Sequence, residues 1–262
     1  MRLTAAIVVA TMNVLTWAPA AARAQVNTLK GASPEAARAN QHYSIGWDAM
    51  HVERWDEAAT EFQAAIDADE KFSLAYYSLG RAEMARRNFQ KAIAAYTACK
   101  RMYVRIGGER FTNQQDYKRR LEDQILEVQT AIQQAQQGPS GKAVSQSQQL
   151  YIRELQTRVM TLQQAKERNE NVVIDATVPY FVPMALGAAY FRAGQFADAE
   201  REYVEAIKAN PDSGETHNNL AVLYLTIDRV ALAEQEVAKA EETGFKVNPG
   251  LKDDIKKKRG DR

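Results

Sequence analysis

Apolar residues in the middle of the chain recur at a spacing of three or four. The two runs are Tyr117, Leu121, Ile125, Val128 and Ile132, and then Ile152, Leu155, Val159 and Leu162. This spacing places the side chains of each run on one face of an α-helix. Glycine, proline and serine at residues 138–141 separate the runs and predict a turn. The pattern therefore predicts an antiparallel hairpin of two helices, each of roughly 25 residues.

On both sides of this segment, small and bulky residues repeat with a period of 34. The repeat is marked by four dipeptides, Ile45-Gly46, Leu79-Gly80, Leu186-Gly187 and Leu220-Ala221, at intervals of 34, 107 and 34 residues. With the second residue of each dipeptide numbered position 8, positions 8, 20 and 27 carry Gly, Ala or Cys in all four units. Bulky residues recur at position 17 (Trp55, Phe89, Phe196, Val230) and at position 24 (Phe62, Tyr96, Tyr203, Val237). Two pairs of repeat units therefore flank the predicted hairpin.

Helix geometry explains the small residues at these positions. Two antiparallel helices approach closely only where the facing side chain is a hydrogen atom or a methyl group, and aromatic rings then fill the space beside each contact. The third unit completes the scheme with Tyr190, with Gly194 at the predicted turn, and with Asn210 and Pro211 after the second helix. Each unit is therefore predicted to form two antiparallel helices joined by a short turn.

This pattern resembles the tetratricopeptide repeat family. The first two units depart from the family pattern at the final proline, where Glu70 and Val104 stand. The fourth unit has Ala221 in place of glycine and Phe245 in place of proline. The resemblance implies an all-α fold in which helical hairpins stack into a solenoid.

The predicted architecture is a repeat solenoid interrupted in sequence by the hairpin. Residues 33–105 hold units 1 and 2, residues 106–178 the glutamine-rich hairpin, residues 179–246 units 3 and 4, and residues 248–260 a capping helix. An asparagine-proline pair at the start of the last segment is typical of a helix N-terminus. The five lysine and arginine residues of this helix are interpreted as a solvated face rather than as a surface for a membrane or for nucleic acid.

Residues 1–24 have the organisation of a secretory signal peptide. Arg2 precedes a mostly apolar run that ends at Trp17, and small residues precede Gln25. We therefore expect cleavage before Gln25 and a periplasmic or secreted protein without a lipid-accepting cysteine. The alternative is a membrane anchor, which needs roughly 20 apolar residues, whereas this run is about 15 residues long. No integral span is expected in the mature chain.

Composition adds three constraints. The chain of 262 residues is 45% hydrophobic and 26% charged with a formal net charge of +1, so a nucleic-acid partner is not expected. It has 43 alanines, which favour packed helices, and 14 of its 20 glutamines lie between Gln114 and Gln164. The one cysteine, Cys99, occupies position 27 and is predicted to be a buried packing residue.

No catalytic motif is present in the sequence. It contains no HExxH, CxxC or GxSxG motif and no glycine-rich phosphate loop. His42 and His217 both fall at position 4 of their units, where a packing role is expected. We therefore predict a protein that is not an enzyme and that holds no metal and no cofactor.

The family resemblance implies a concave face lined by the first helix of each unit, through positions 2, 5, 9 and 12. The candidate partner-binding residues on this face are Tyr43, Trp47, Met50, Tyr77, Arg81, Met84, Met184, Phe191, Asn218 and Val222. A lining rich in aromatic residues and methionine suits an apolar peptide or helix, because such side chains repack around a partner. Some family members hold a C-terminal carboxylate with Lys and Asn where this chain has Tyr43 and Trp47, so that use is not expected. The alternative is that the hairpin covers several of these residues.

Two functional hypotheses follow. The first is a non-catalytic scaffold or adaptor of the cell envelope that binds an apolar segment of a partner protein on its concave face. The alternative is a structural assembly protein that forms a homo-oligomer through the coiled-coil-like hairpin in residues 112–168.

Overall fold

The computed structural model describes residues 33–107, 114–137, 146–168 and 177–260. The predicted signal peptide, its cleavage site before Gln25 and the turn predicted at residues 138–141 lie outside the described residues. Within these four ranges the regular secondary structure is α-helix throughout, as the sequence predicts.

Eleven helices form the described part of the chain. They are α1 (Pro34–His51), α2 (Trp55–Ala68), α3 (Ser73–Ala85), α4 (Phe89–Gly107), α5 (Gln114–Gln137), α6 (Gln146–Arg168), α7 (Phe181–Arg192), α8 (Phe196–Ala209), α9 (Gly214–Thr226), α10 (Val230–Glu242) and α11 (Pro249–Arg259). The pairs α1/α2, α3/α4, α7/α8 and α9/α10 are the four repeat units, each a hairpin of packed helices. Helices α5 and α6 pack against each other as the predicted long hairpin.

Each of the first three units is built on a contact between a glycine and an aromatic ring. A Cβ atom added to Gly46, Gly80 or Gly187 would lie 2.7, 2.5 or 2.8 Å from the nearest ring atom of the residue at position 24. Real Cβ atoms do not approach a ring so closely, so only glycine lets the two helices meet there. The alanines at position 20, and the three alanines and Cys99 at position 27, are all fully buried. The small residues at positions 8, 20 and 27 therefore lie where the two helices meet, as the sequence predicts.

The fourth unit has a different pair of residues at this helix contact. Ala221 replaces the glycine at position 8, and Val237 replaces the aromatic residue at position 24. Both side chains belong to the buried core of this unit. A methyl group at one position thus accompanies a smaller side chain at the other, which keeps the packed volume within the range that a helix crossing tolerates.

The turn inside every unit uses a left-handed backbone at position 15. The φ angles there are 61° for Glu53, 62° for Arg87, 76° for Gly194 and 64° for Asp228. Only the third unit carries glycine, the residue that adopts this conformation without a steric cost. The turn geometry is therefore imposed by the packing of the two helices and not by the local residue type.

The stack of repeats continues across the insertion. Helix α4 of unit 2 packs directly against α7 of unit 3. Lys100 on α4 donates from its Nζ to Glu202, at 2.8 Å, and to Glu205, at 2.6 Å, on α8. Units 2 and 3 are therefore neighbours in space although the hairpin separates them in sequence.

Helix α11 caps the last repeat. The Asn248 side chain accepts from the backbone N–H of Gly250 at 2.8 Å, and Ile255 packs into the core of unit 4. The basic residues make ion pairs with the repeats, namely Lys252 with Glu241, Lys258 with Asp228 and Arg259 with Glu234. Much of the positive charge of this helix is thus balanced by carboxylates of the same chain.

Replacement of Gly187 by alanine is expected to lower the free energy of unfolding by about 1–3 kcal/mol, because the added methyl group meets the Tyr203 ring. A second change, Tyr203→Val, recreates the alanine and valine pair of unit 4 and is expected to recover part of this loss. Urea unfolding followed by circular dichroism measures both effects. If the single variant were as stable as the parent protein, the close contact would not be a packing constraint.

Candidate functional site

The ten predicted partner-binding residues separate into a buried group and a partly exposed group. Tyr43, Trp47 and Tyr77 are buried, with 0%, 3% and 8% of their surface exposed. The other seven, Met50, Arg81, Met84, Met184, Phe191, Asn218 and Val222, are partly exposed. The expectation that all ten face a partner is therefore corrected, because the buried three contact other parts of this chain.

The second helix of the hairpin covers Tyr77. The ring of Tyr151 on α6 stacks on Tyr77 with the centroids 5.7 Å apart and the planes at 24°. Tyr151 also meets the edge of Phe181 at 4.8 Å, and Phe181 in turn meets Tyr77 at 5.0 Å. This cluster of three rings joins the hairpin, unit 2 and unit 3. The hairpin thus covers Tyr77, one of the ten candidate residues.

Tyr43 and Trp47 on α1 contact residues of the neighbouring unit 2. The Tyr43 ring packs on Phe72 at 4.8 Å, and its hydroxyl accepts from the Ser78 hydroxyl at 3.2 Å. The Arg81 guanidinium lies 4.7 Å from the centre of the Trp47 ring, a cation–π geometry. Arg81, which is partly exposed, thus covers the Trp47 ring with its guanidinium group.

Two carboxylates on α5 attach the hairpin to the starts of the first two repeats. Asp123 accepts from the backbone N–H of Ser33 at 2.9 Å and from its hydroxyl at 3.2 Å. Glu127 accepts from the Ser73 hydroxyl at 2.7 Å and from the backbone N–H of Leu74 at 3.1 Å. The two acids are four residues apart and so lie on one helix face. Each reaches the N-terminal end of a repeat helix, where free N–H groups and the helix dipole favour negative charge.

Burial opposes the charge on both carboxylates. Desolvation raises the pKa of Glu127 from its ordinary 4.5 to about 7, against the lowering effects of Arg120 and of the bonds from Ser73 and Leu74. Desolvation also raises the pKa of Asp123, against its bonds from Ser33 and the nearby Arg120 charge. The hairpin is therefore attached through acids whose ionised forms lack full hydration.

The apolar stripes of the hairpin are buried within the chain. Leu121, Val128, Leu155 and Leu162 are buried and belong to the same core cluster as units 1 and 2. Among the hairpin residues that the structure describes, Met160 is the large apolar side chain that is exposed. Self-association through residues 112–168 stays a prediction.

The partly exposed residues form a strip along the ends of the first helices. Its four members at position 12 are Met50, Met84, Phe191 and Leu225, each the last residue but one of its helix. All four are apolar and partly exposed. In units 3 and 4 the open surface extends to position 5, where Met184 and Asn218 are also partly exposed. We call these six residues, together with Arg81 and Val222 at position 9, the concave strip.

The histidines at position 4 have structural partners. Nδ1 of His217 lies 2.6 Å from Glu236 and its Nε2 lies 3.0 Å from the Pro211 carbonyl oxygen. Nδ1 of His42 lies 2.8 Å from Glu61, which stands at the same place in unit 1 as Glu236 in unit 4.

Burial raises the pKa of the Cys99 thiol well above its ordinary range, so this thiol is unreactive. In the ranges described above, no three acidic, histidine or cysteine side chains cluster as metal ligands. No helix among the same residues has the length and the apolar character to cross a bilayer.

Sequence reasoning missed the residues that dock the hairpin. Asp123 and Glu127 sit on a polar face of a glutamine-rich helix and look like ordinary solvated acids. Tyr151 stands one residue before the apolar stripe of α6. The spacing of four between the two acids predicts that they share one helix face. It does not predict which surface of the protein that face contacts.

Tyr151→Ala is expected to lower the free energy of unfolding by about 3 kcal/mol, because it removes the ring that fills the space between Tyr77 and Phe181. Met160→Ala on the same helix is the matched control, and its exposed side chain predicts a change below about 0.5 kcal/mol. Thermal unfolding of the two variants measures the difference. Equal effects would show that Tyr151 does not hold the hairpin on the repeats.

Two ranges of the chain match a known family of repeat proteins. Residues 43–103 and 184–246 match the family model described as tetratricopeptide repeat. No curated protein matches the chain.

Three solved structures match over most of the chain. The crystal structure of YrrB, a TPR protein with an unusual peptide-binding site, matches with 13% identity and a TM-score of 0.28, over 89% of this chain and 98% of that one. The TPR domain of P58(IPK) matches with 11% identity and a TM-score of 0.32, over 85% and 65%. The TPR2AB domain of yeast Sti1, solved in a complex with pHSP90, matches with 13% identity and a TM-score of 0.28, over 84% and 98%. From the four repeat units and the matched family model, we conclude that residues 43–103 and 184–246 are tetratricopeptide repeats.

Proposed function

We propose that this protein is a non-catalytic interaction scaffold that binds an apolar segment of a partner protein along the concave strip. The observation that carries the proposal is the row of apolar side chains at position 12. Four successive repeats place Met50, Met84, Phe191 and Leu225 at the same point of their first helices, and each remains partly exposed. A continuous row of this kind presents apolar contacts at regular intervals to one extended or helical segment.

The chemistry of the strip supports an apolar partner with few charges. The methionines are flexible and adapt to different side chains, and Phe191 supplies a rigid aromatic anchor. Arg81 is held over the Trp47 ring, so its guanidinium is oriented before a partner arrives. We expect it to donate hydrogen bonds to a carboxylate or a backbone carbonyl of the partner, while Asn218 offers both a donor and an acceptor at the other end of the strip.

Export of the protein is part of the same proposal. The signal-peptide pattern of residues 1–24 supports a periplasmic or secreted scaffold of the cell envelope. The partner would then be an envelope or secreted protein.

Photocrosslinking from the strip tests the binding surface. Benzoylphenylalanine at Met84 or Phe191 is expected to capture a partner that mass spectrometry identifies, whereas the same group at Leu232, an exposed apolar position on α10, is expected to capture none. With the partner in hand, Phe191→Ala is expected to weaken binding about tenfold, as loss of an aromatic anchor does, and Leu232→Ala to leave it unchanged. Equal crosslinking from the strip and from Leu232 would refute the proposed surface.

N-terminal sequencing of the protein from its native host tests export. The expected mature chain begins at Gln25, because a signal peptidase cuts after the small residues that precede it. A chain that still begins at Met1 would contradict cleavage.

A further inference from the structure

The hairpin covers part of the surface formed by the first helices of the repeats. It covers Tyr77 and the start of α7 through the Tyr151 ring. It is attached to the starts of α1 and α3 through Asp123 and Glu127. The hairpin therefore has two kinds of contact with the repeats, one aromatic and one through buried acids.

The hairpin also holds buried polar atoms without hydrogen-bond partners. They are the hydroxyl of Tyr151 and the side-chain oxygens of Gln124 and Gln134. Each of these residues is at least nine-tenths buried. Burial without a partner disfavours the closed arrangement, since water would satisfy the same atoms in an open one.

We propose that the hairpin is a lid that is held closed in acid and released toward neutral pH, and that its release exposes the aromatic surface of Tyr77 and Phe181. The group that responds to pH is the Glu127 carboxyl group, which is buried where α5 meets the start of α3. The proposal does not depend on the binding function of the concave strip, because it concerns only the contact between the hairpin and the repeats.

The groups around Glu127 leave its charge poorly compensated. Arg120, about two helix turns away on α5, favours the ionised form, and Asp69 before α3 opposes it. The titratable groups that face it from α1 and α4 are Tyr43, Tyr103 and Cys99, which burial keeps neutral. Arg158 on α6 lies over the Tyr103 ring, with its guanidinium carbon 4.7 Å from the ring centre.

The hydrogen bonds are compatible with a protonated Glu127. Both the Ser73 hydroxyl and the Leu74 N–H donate to the same oxygen, Oε1. The second oxygen, Oε2, can therefore carry a proton while both bonds persist. Protonation removes the cost of burying a charge and keeps the attachment of the hairpin.

The sign of the pH effect follows from linkage. In the closed state the pKa of Glu127 is about 7, and in the released state it returns toward 4.5. The closed state thus takes up a proton, and closure is strongest below pH 4.5, weakens as the pH rises from 4.5 to 7, and changes little above that. For this one carboxyl group, the ratio of open to closed molecules is expected to rise about 70-fold from pH 5 to pH 8. Asp123, whose pKa is raised as well, acts in the same direction.

Single-molecule energy transfer on the full chain measures the lid directly. One dye is placed at Gln156→Cys on the exposed side of α6 and one at Val52→Cys after α1, both in a Cys99→Ala background that matches the alanine of the other three units. The low-transfer, open population is expected to grow from pH 5 to pH 8, while circular dichroism shows unchanged helix content. A wild-type population that is the same at both pH values, or a change that accompanies loss of helix, would overturn the proposal.

Two glutamate variants assign the effect to its residue. Glu127→Gln keeps an oxygen for both hydrogen bonds and removes the ionisation, so the lid is expected to stay closed at pH 5 and at pH 8. Glu167→Gln, at an exposed position near the end of α6, is the matched control and is expected to keep the wild-type response. An undiminished response in Glu127→Gln would overturn the role of this carboxyl group.

Discussion

The contact between a glycine and an aromatic ring inside each of the first three repeats is the constraint on which the rest of the structure depends. Gly46, Gly80 and Gly187 let the two helices of a unit approach until a Cβ atom would overlap the facing ring. The same contact in successive units fixes the same crossing, so the first helices lie side by side and form one face. A solenoid follows from the repetition of this local fit, since each unit then packs chiefly on its neighbours.

The crossing also explains how the chain accommodates a hairpin of two long helices. Because α4 and α7 present the usual faces of consecutive repeats, they pack together and the stack remains continuous. The apolar faces of the inserted helices must then be buried elsewhere. They pack on the first helices of the repeats. The backbone N–H groups at the starts of α1 and α3 donate to Asp123 and Glu127, and the rings of Tyr77 and Phe181 pack against Tyr151.

This arrangement divides the concave face into two regions with different physical properties. Toward the starts of the first helices in units 1 and 2, the hairpin excludes water and leaves acids and amide oxygens poorly solvated. Toward the ends of the same helices, and through units 3 and 4, the concave strip remains partly exposed. One face thus joins the strip that we propose as a binding surface with a surface already occupied by the chain itself.

Much of the fold can be predicted from the sequence, because the determining contacts are local. The period of 34, the small residues at three positions per unit and the two apolar stripes specify helices and their pairing within short stretches of chain. The role of Cys99 follows from the same positions, since it stands where the other units carry alanine. These features depend on spacing along a helix, which the order of residues states directly.

Only the tertiary structure decided which part of the repeats the hairpin covers. Glu127 meets Ser73 across 54 residues of sequence, and Asp123 meets Ser33 across 90. No local pattern distinguishes these acids from solvated ones, because their role comes from a surface that exists only after the repeats have stacked. The sequence by itself determined the repeats and the hairpin, whereas the docking of one on the other depended on long-range burial and on the helix ends that stacking brings together.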